Sequence, residues 1–368
     1  MTTASRSPLT AVADANVPTE MDVEPSTSAK PPHRVRGYEI LSKLGDGAYG
    51  TVYTARDFNG SHVALKLIEY PPKDTDMVPA SLATGISYTP PRSGADEAAN
   101  EASIYFKLAT TAHHPAVVHI HEFIPGASFS ALALELVDGV LLSDHLNGRA
   151  IGDAEAADMA RQLTSALAFF HSVGVAHLDL KPENVMRQPD GVLRLIDYGA
   201  AATFAAGRLD DAWVEETGGT EAFRAPERLD SVYDDEDEVW DAEGRINGPA
   251  ADVYSLGVCC FLALTGTDPF DFDGGEDNED GSFCLVDSYA GMLERLEAGD
   301  VFNATSTEGF HIPPRAGAGV SAAAKVFVVS AMRAHPSERP TAAQLEAHAW
   351  LRPGGALDMA ALGAALPG

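Results

Sequence analysis

Cysteine is nearly absent: Cys259, Cys260 and Cys284 are the only three in 368 residues. An odd, sparse set with no CxxC spacing supplies neither a disulfide framework nor a zinc ribbon. These side chains are expected as small buried apolar groups. Positive charge is also scarce, with 25 Lys and Arg against 54 Asp and Glu and a formal net charge of −29. Nucleic acid and anionic membranes both demand positive patches, so neither is expected as a main partner. A basic protein partner fits this balance, although an acidic surface also aids solubility. No amino-terminal apolar stretch resembles a signal peptide. The longest near-apolar run, 253–264, is too short to cross a bilayer and is expected as a core helix. These absences point to a soluble intracellular chain, cytoplasmic with the nucleus left open. They leave the oligomeric state unknown.

What is present is enough apolar material for a sizeable core, 45% of the residues, in a chain long enough for one large domain or two average ones. Residues 1–36 are rich in Pro, Ser, Thr and Ala without any period, and are expected to be a disordered tail. The stretches 38–43, 50–55 and 62–68 are β-rich with glycine punctuation, which predicts three antiparallel strands. A long Pro/Gly/Ser-rich loop, 71–95, precedes a helix over 96–108 with Ile104, Tyr105 and Leu108 on one face. Strands are predicted over 117–123 and 129–136. The pattern then turns helical. Asp153 is expected as the N-cap of a helix over 154–171. Short strands at 185–187 and 193–196 flank the turn Pro189-Asp190-Gly191. Further helices are predicted over 250–265, 286–297, 321–333 and 340–350. Two acidic runs, near 233–243 and 271–280, repel internally and stay solvated. They are expected as surface insertions, with docking of basic substrates as the sharper reading. The outcome is a small β-rich half and a larger helical half, an α+β chain without internal repeats.

Four motifs carry chemistry. In Gly45-Asp46-Gly47-Ala48-Tyr49-Gly50-Thr51-Val52, β-rich sequence lies on both sides, so the glycines belong to a hairpin and not to a dinucleotide-binding strand-to-helix turn. Without a Cβ, Gly45, Gly47 and Gly50 let backbone amides approach phosphate oxygens. Lys66, in Val63-Ala64-Leu65-Lys66, lies within an apolar strand. It needs an anionic partner there, unless the strand is an edge and the ammonium points to solvent. His177-Leu178-Asp179-Leu180-Lys181-Pro182-Glu183-Asn184 packs an acid, a base and an amide into a few residues. Asp179 suits acceptance of a hydroxyl proton, Lys181 suits neutralising phosphoryl charge, and Asn184 offers oxygen to a hard cation. Asp197, in Leu195-Ile196-Asp197-Tyr198-Gly199, ends an apolar strand, where it serves either as a turn former or as a metal ligand.

In this order the four motifs resemble those of the eukaryotic protein kinases, and the resemblance extends over about 38–351. Gly219-Thr220 with Ala225-Pro226-Glu227 is similar to the end of the family's activation segment. Asp252 resembles the helix aspartate that anchors the catalytic loop, and Arg339 the arginine that pairs with Glu227. The resemblance implies a bilobal protein-kinase-like fold. Its antiparallel N-lobe would cover 37–136 and its mainly helical C-lobe 137–351, followed by a tail at 352–368. It implies ATP and Mg²⁺ as cofactors and a protein substrate bearing Ser or Thr. Lys66 would grip the α/β-phosphates with Glu101, chosen over Glu97 by spacing, as its helix carboxylate. Asn184 and Asp197 would bind Mg²⁺, and Asp179 would orient the hydroxyl. Leu134 would be the gatekeeper, Glu135 to Val137 the hinge, and Val52, Ala64 and Met186 the walls around adenine. The ribose contact stays open between Asp138 and Asp144. Lys181 and Thr220 imply hydroxyl specificity of the Ser/Thr kind.

Two departures stand out. Leu178 occupies the place of an arginine that usually receives an activation-segment phosphate, so activity is expected not to depend on phosphorylating Thr203 or Thr217. Tyr198 replaces Phe, a mild change as long as the ring packs. Rival readings are a catalytically dead scaffold, a small-molecule kinase, and a module that recruits basic proteins. Retention of Lys66, Asp179, Asn184 and Asp197 argues against the first, and the segment 219–227 against the second.

Overall fold

The computed structural model describes residues 33–352, apart from 48–49, 71–93, 112, 230–238, 242–243, 271–291, 294, 300 and 303–318. The tail before residue 33, nearly all of the 71–95 loop, both acidic runs apart from 239–241, most of 286–297, Cys284 and the tail after 352 lie outside these residues.

The first half is a six-stranded sheet in the order β1-β2-β3-β4-β6-β5. Its strands are β1 (Arg34–Val35), β2 (Tyr38–Gly47), β3 (Gly50–Arg56), β4 (His62–Glu69), β5 (Ile120–Ile124) and β6 (Phe129–Glu135), and every pairing is antiparallel. Strand β4 shows why the sequence there is almost continuously apolar. Val63, Leu65 and Leu67 face a small outer core with Tyr53, Ala55 and Ala133. Ala64 and Ile68, on the opposite face, pack into the main core. A strand buried on both faces has no solvent side for a charge, so Lys66 must be matched from within. Helix α1 (Gly94–Thr111) lies against this face and buries Ile104, Tyr105 and Leu108. It runs three residues past the predicted end at Leu108.

The second half is built on helices. β7 (Val140–Leu141) and α2 (Leu142–Leu146) lead into α3 (Asp153–Ser172). After β8 (Val175–Ala176), the hairpin β9 (Val185–Arg187) and β10 (Leu193–Leu195) closes around Pro189-Asp190-Gly191, with Gly191 N donating to Gln188 O at 2.9 Å. β11 (Ala202–Thr203) pairs β8, and β12 (Trp213–Val214) pairs β13 (Ile246–Asn247). Helix α4 (Gly248–Thr265) follows, capped by Asn247, whose side chain accepts from Ala250 N at 3.0 Å. It outgrows the apolar run that marks it. Among the described residues it alone is long and apolar enough to cross a membrane, yet most of it is buried in the fold, where it packs α3 and α5 (Ala322–Ala331). Cys259 and Cys260 are free and buried within it.

Three local expectations are corrected. Asp153 is not the N-cap of α3: Gly152 is, in an extended conformation. The Asp153 carboxylate instead accepts from Ser321 N at 3.0 Å and Trp350 Nε1 at 3.1 Å, drawn away by partners that lie far along the chain. Region 340–350 is not one helix. Thr341 and Gln344 form a capping box for the single turn α6 (Ala342–Leu345), and His348 Nδ1 then accepts from Trp350 N, which starts a separate 3-10 turn. The fifth strand begins at Ile120, because Val117 is committed to a parallel bridge with Leu195.

Candidate active site

The crevice between the halves gathers side chains from four segments. Lys66 Nζ lies 2.8 and 2.9 Å from the two oxygens of Glu101 and 2.9 Å from Asp197 Oδ1. Glu101 of α1, and not Glu97, thus supplies the helix carboxylate. The Lys66 and Glu101 side chains are 4% and 1% exposed. Burial alone would depress the lysine, but the two carboxylates outweigh it and hold the ammonium charged above its ordinary range. Burial would likewise push the Asp197 carboxyl up, yet the Lys66 ammonium keeps it below the usual carboxylate range. Asp197 is therefore an anion beside a fixed cation, and Gly199 N also donates to its Oδ1 at 3.0 Å.

The loop after β8 is held from beneath. Asp252 of α4 accepts from His177 N and Leu178 N, both at 2.7 Å, and lies 2.8 Å from His171 Nε2. Burial would raise its carboxyl, but the hydrogen bond and charge of His171 hold it low. Leu178, one of the two anchored residues, has a left-handed backbone (φ 61°), which is uncommon for a non-glycine residue. Burial lowers the pKa of His177, so its ring is neutral, and its Nδ1 accepts from Asp179 N at 3.3 Å. It shapes the loop.

Asp179 is thereby presented to the crevice. Its Oδ1 accepts from Thr220 N at 2.9 Å and Thr220 Oγ1 at 3.0 Å. Its Oδ2 lies 2.9 Å from Lys181 Nζ and 2.8 Å from Asn184 Nδ2. Lys181 also donates to the Thr220 hydroxyl. Asn184 Nδ2 donates to Asp179 O at 2.8 Å as well, so its amide hydrogens are turned to Asp179 and its carbonyl oxygen is the other end.

The glycine hairpin lies over this cluster. Gly45 pairs Val52 and Gly47 pairs Gly50, while the tip residues 48–49 lie outside the described structure. A Cβ on Gly47 would sit 3.8 Å from Asp197 Oδ2, which places the hairpin directly above that carboxylate. A Cβ on Gly50, at φ 143°, would lie 2.2 Å from Leu67 O, so only glycine allows this approach.

Of the predicted adenine walls, Val52 and Ala64 lie on the adjacent strands β3 and β4. Ala64 stands opposite Leu134 across β4 and β6, Val52 opposite Lys66, and Met186 opposite Leu141. Val137 is buried, and Asp138 and Asp144 are exposed on either side of β7. The Glu135 side chain turns away from the crevice, accepting from Arg194 at 2.5 Å and from His119 N at 3.2 Å. It braces the connection between the lobes. Leu44, on β2 just before Gly45, is an apolar side chain left 54% exposed that motif reading passed over.

Around the cluster, Glu227 and Arg339 form a fully buried bidentate pair at 2.6 and 2.7 Å. Ser255 Oγ donates to Phe223 O at 2.7 Å, fixing the ledge beside Thr220. The sequence reading also missed Arg228 and Glu216, which pair at 2.8 Å, because neither belongs to a local motif that reveals the other.

Comparison with known proteins adds a family match: the model described as protein kinase domain fits residues 38–351. Among similar proteins are CBL-interacting protein kinase 9 of Oryza sativa subsp. japonica, 32% identical over 245 residues, which cover 65% of this chain and 45% of that protein. Sperm motility kinase 2B of Mus musculus is 27% identical over 320 residues, 86% of this chain and 52% of that protein. SNF-related serine/threonine-protein kinase of Rattus norvegicus is 28% identical over 322 residues, 86% of this chain and 34% of that protein. The chain spans between about one third and two thirds of the length of the relatives it matches.

Proposed function

The chain belongs to the protein kinase domain family, and on that premise we infer that it transfers the γ-phosphoryl group of ATP to a serine or threonine hydroxyl of another protein. The observation that carries this reading is the convergence of Lys66, Asp179, Lys181, Asn184 and Asp197 on one crevice beneath the glycine hairpin.

The residues divide the work by chemistry. Gly45, Gly47 and Gly50 leave room for phosphate oxygens against backbone amides. Lys66, steadied by Glu101, meets the α/β-phosphates as a fixed point charge. Asp197 and Asn184 would hold Mg²⁺. They are hard oxygen donors and few in number, which suits an ion that keeps water and phosphate among its ligands. When bound, the ion neutralises charge on the β- and γ-phosphates. Asp179 orients the incoming hydroxyl and accepts its proton, while Lys181 offsets the charge that builds on the transferring group. Val52, Ala64, Met186 and Leu44 enclose an apolar ring, and the Glu135 to Val137 backbone faces its polar edge. Hydroxyl specificity of the Ser/Thr kind is supported by the Lys181–Thr220 contact and by the name of the rat relative. The net charge of −29 favours substrates with basic segments, and disfavours nucleic acid and anionic membranes as partners.

The test is a screen of Ser/Thr peptides with MgATP and purified protein, run beside Asp179→Asn. Incorporation into peptide by the wild type and its loss in the variant are expected. Phosphate appearing only on small molecules, or equal signals from both proteins, overturns the reading.

A further inference from the structure

Segment 216–220 delivers Thr220 to Asp179, so whatever fixes this segment sets the geometry of the transfer. Arg228, at the end of the 3-10 turn Pro226–Arg228, fixes it. Its side chain is 1% exposed. Nε donates to Glu216 Oε2 and Nη2 to Glu216 Oε1, both at 2.8 Å. Nη1 donates to Leu178 O at 2.7 Å, and Nη2 reaches Gly218 O as well. Glu216 Oε1 also accepts from Gly218 N at 2.8 Å. One guanidinium therefore ties the loop that carries Asp179 to the segment that carries Thr220. The approach is close enough to require glycine: a Cβ on Gly219, at φ 117°, would lie 2.7 Å from Leu178 O.

The anion in this arrangement is already present. Leu178 is buried and apolar, so it offers a segment phosphate nothing. Thr217 has its hydroxyl committed to Ala200 O at 2.5 Å. Planar bidentate pairing is the mode by which arginine holds either a carboxylate or a phosphate, and here Glu216 occupies the fork.

We propose that Glu216 is a built-in substitute for an activation-segment phosphate, and that it acts through Arg228 to hold Thr220 against Asp179. Glu216 and Arg228 are positioning residues, since neither touches the reacting groups. The proposal rests on the kinase reading for its consequence in turnover. The clamp itself is independent of that reading.

The test uses the full chain treated with phosphatase, with mass spectrometry confirming that residues 203–220 carry no phosphate. Wild type, Glu216→Gln and Glu216→Asp are compared by steady-state kinetics and by hydrogen exchange over 215–224. Dephosphorylated wild type should keep its turnover to within about threefold. Glu216→Gln should lose about tenfold or more in kcat, with KM for ATP within about twofold, and should exchange faster at 216–220. Glu216→Asp should recover part of both effects. Because Glu216 is 38% exposed, the variant is expected to fold. The proposal is overturned if Glu216→Gln matches wild type in both readouts, or if phosphatase treatment alone abolishes turnover. A wild type inactive on every substrate would sink the kinase reading, while the exchange comparison would still decide whether the clamp exists.

Discussion

Lys66 and Glu101 meet at 2.8 and 2.9 Å in a site closed to water, one on a strand and the other on a helix. Burial pushes the Glu101 carboxyl up to about 7 even with the ammonium pulling it down. Replacing Lys66 by Met should reduce phosphoryl transfer by about 100-fold or more, the scale for removing one preorganised charge from a reacting group. Steady-state kinetics check this. Glu101 can take up a proton once its partner is gone, so the variant should fold near neutral pH. A carboxyl with a raised folded-state pKa costs stability as pH climbs through that value. Urea midpoints of Lys66→Met should therefore fall more steeply than those of wild type between about pH 6 and about pH 9.

The Glu227–Arg339 pair is buried on both sides, and Arg339 also donates to Ala334 O and Arg333 O, each at 2.8 Å. Removing one partner leaves a bare charge in the interior. Arg339→Met should cost about 3–5 kcal/mol in urea unfolding. The double variant Glu227→Leu/Arg339→Met should lose less than the sum of its singles, because no orphan charge remains.

Asp252 gives an acid-limb prediction. Its folded-state carboxyl is held below the ordinary value, so its contribution is present above the unfolded value, near 4, and is lost as pH falls through the folded one. Asp252→Asn should cost about 1–3 kcal/mol at pH 7. The gap to wild type should narrow as the buffer is taken below about pH 4. Denaturant titrations at several pH values read this directly, and a gap constant with pH would contradict the assignment.

Thr203 and Thr217 should be dispensable as phosphate acceptors. Thr203→Ala and Thr217→Ala are each expected to keep turnover within about tenfold of wild type, which corresponds to about 1.4 kcal/mol of barrier. A larger loss in Thr203→Ala would show that a modified hydroxyl matters. One in Thr217→Ala would not do so by itself, because that hydroxyl also donates to Ala200 O.

The sequence was legible wherever the signal is local. The period-two pattern of β4 assigns both faces of a buried strand, and a lysine among those residues already demands a carboxylate. Spacing on α1 selects Glu101, since Tyr105 and Leu108 share its inward side. The illegible parts are pairings across long stretches of chain. Asp153 looks like a cap from its neighbours, but Ser321 and Trp350 claim it. Glu135 reads as a hinge residue, yet its side chain belongs to Arg194. Arg228 and Glu216 carry no motif. In each case a tertiary partner decides the side chain's direction, and no local window contains that partner.

Tyr198 has a consequence of its own. Its ring packs against Tyr105 and Phe170, with centroids 4.2 and 5.3 Å away. Its hydroxyl donates to Leu195 O at 3.0 Å and accepts from Val118 N at 3.4 Å. A phenyl ring could leave this slot by surrendering packing alone. The phenol must also release two interior hydrogen bonds, at roughly 0.5–1.5 kcal/mol each. Asp197, its immediate neighbour, is consequently latched in heading by the packing and the two interior hydrogen bonds of the residue beside it.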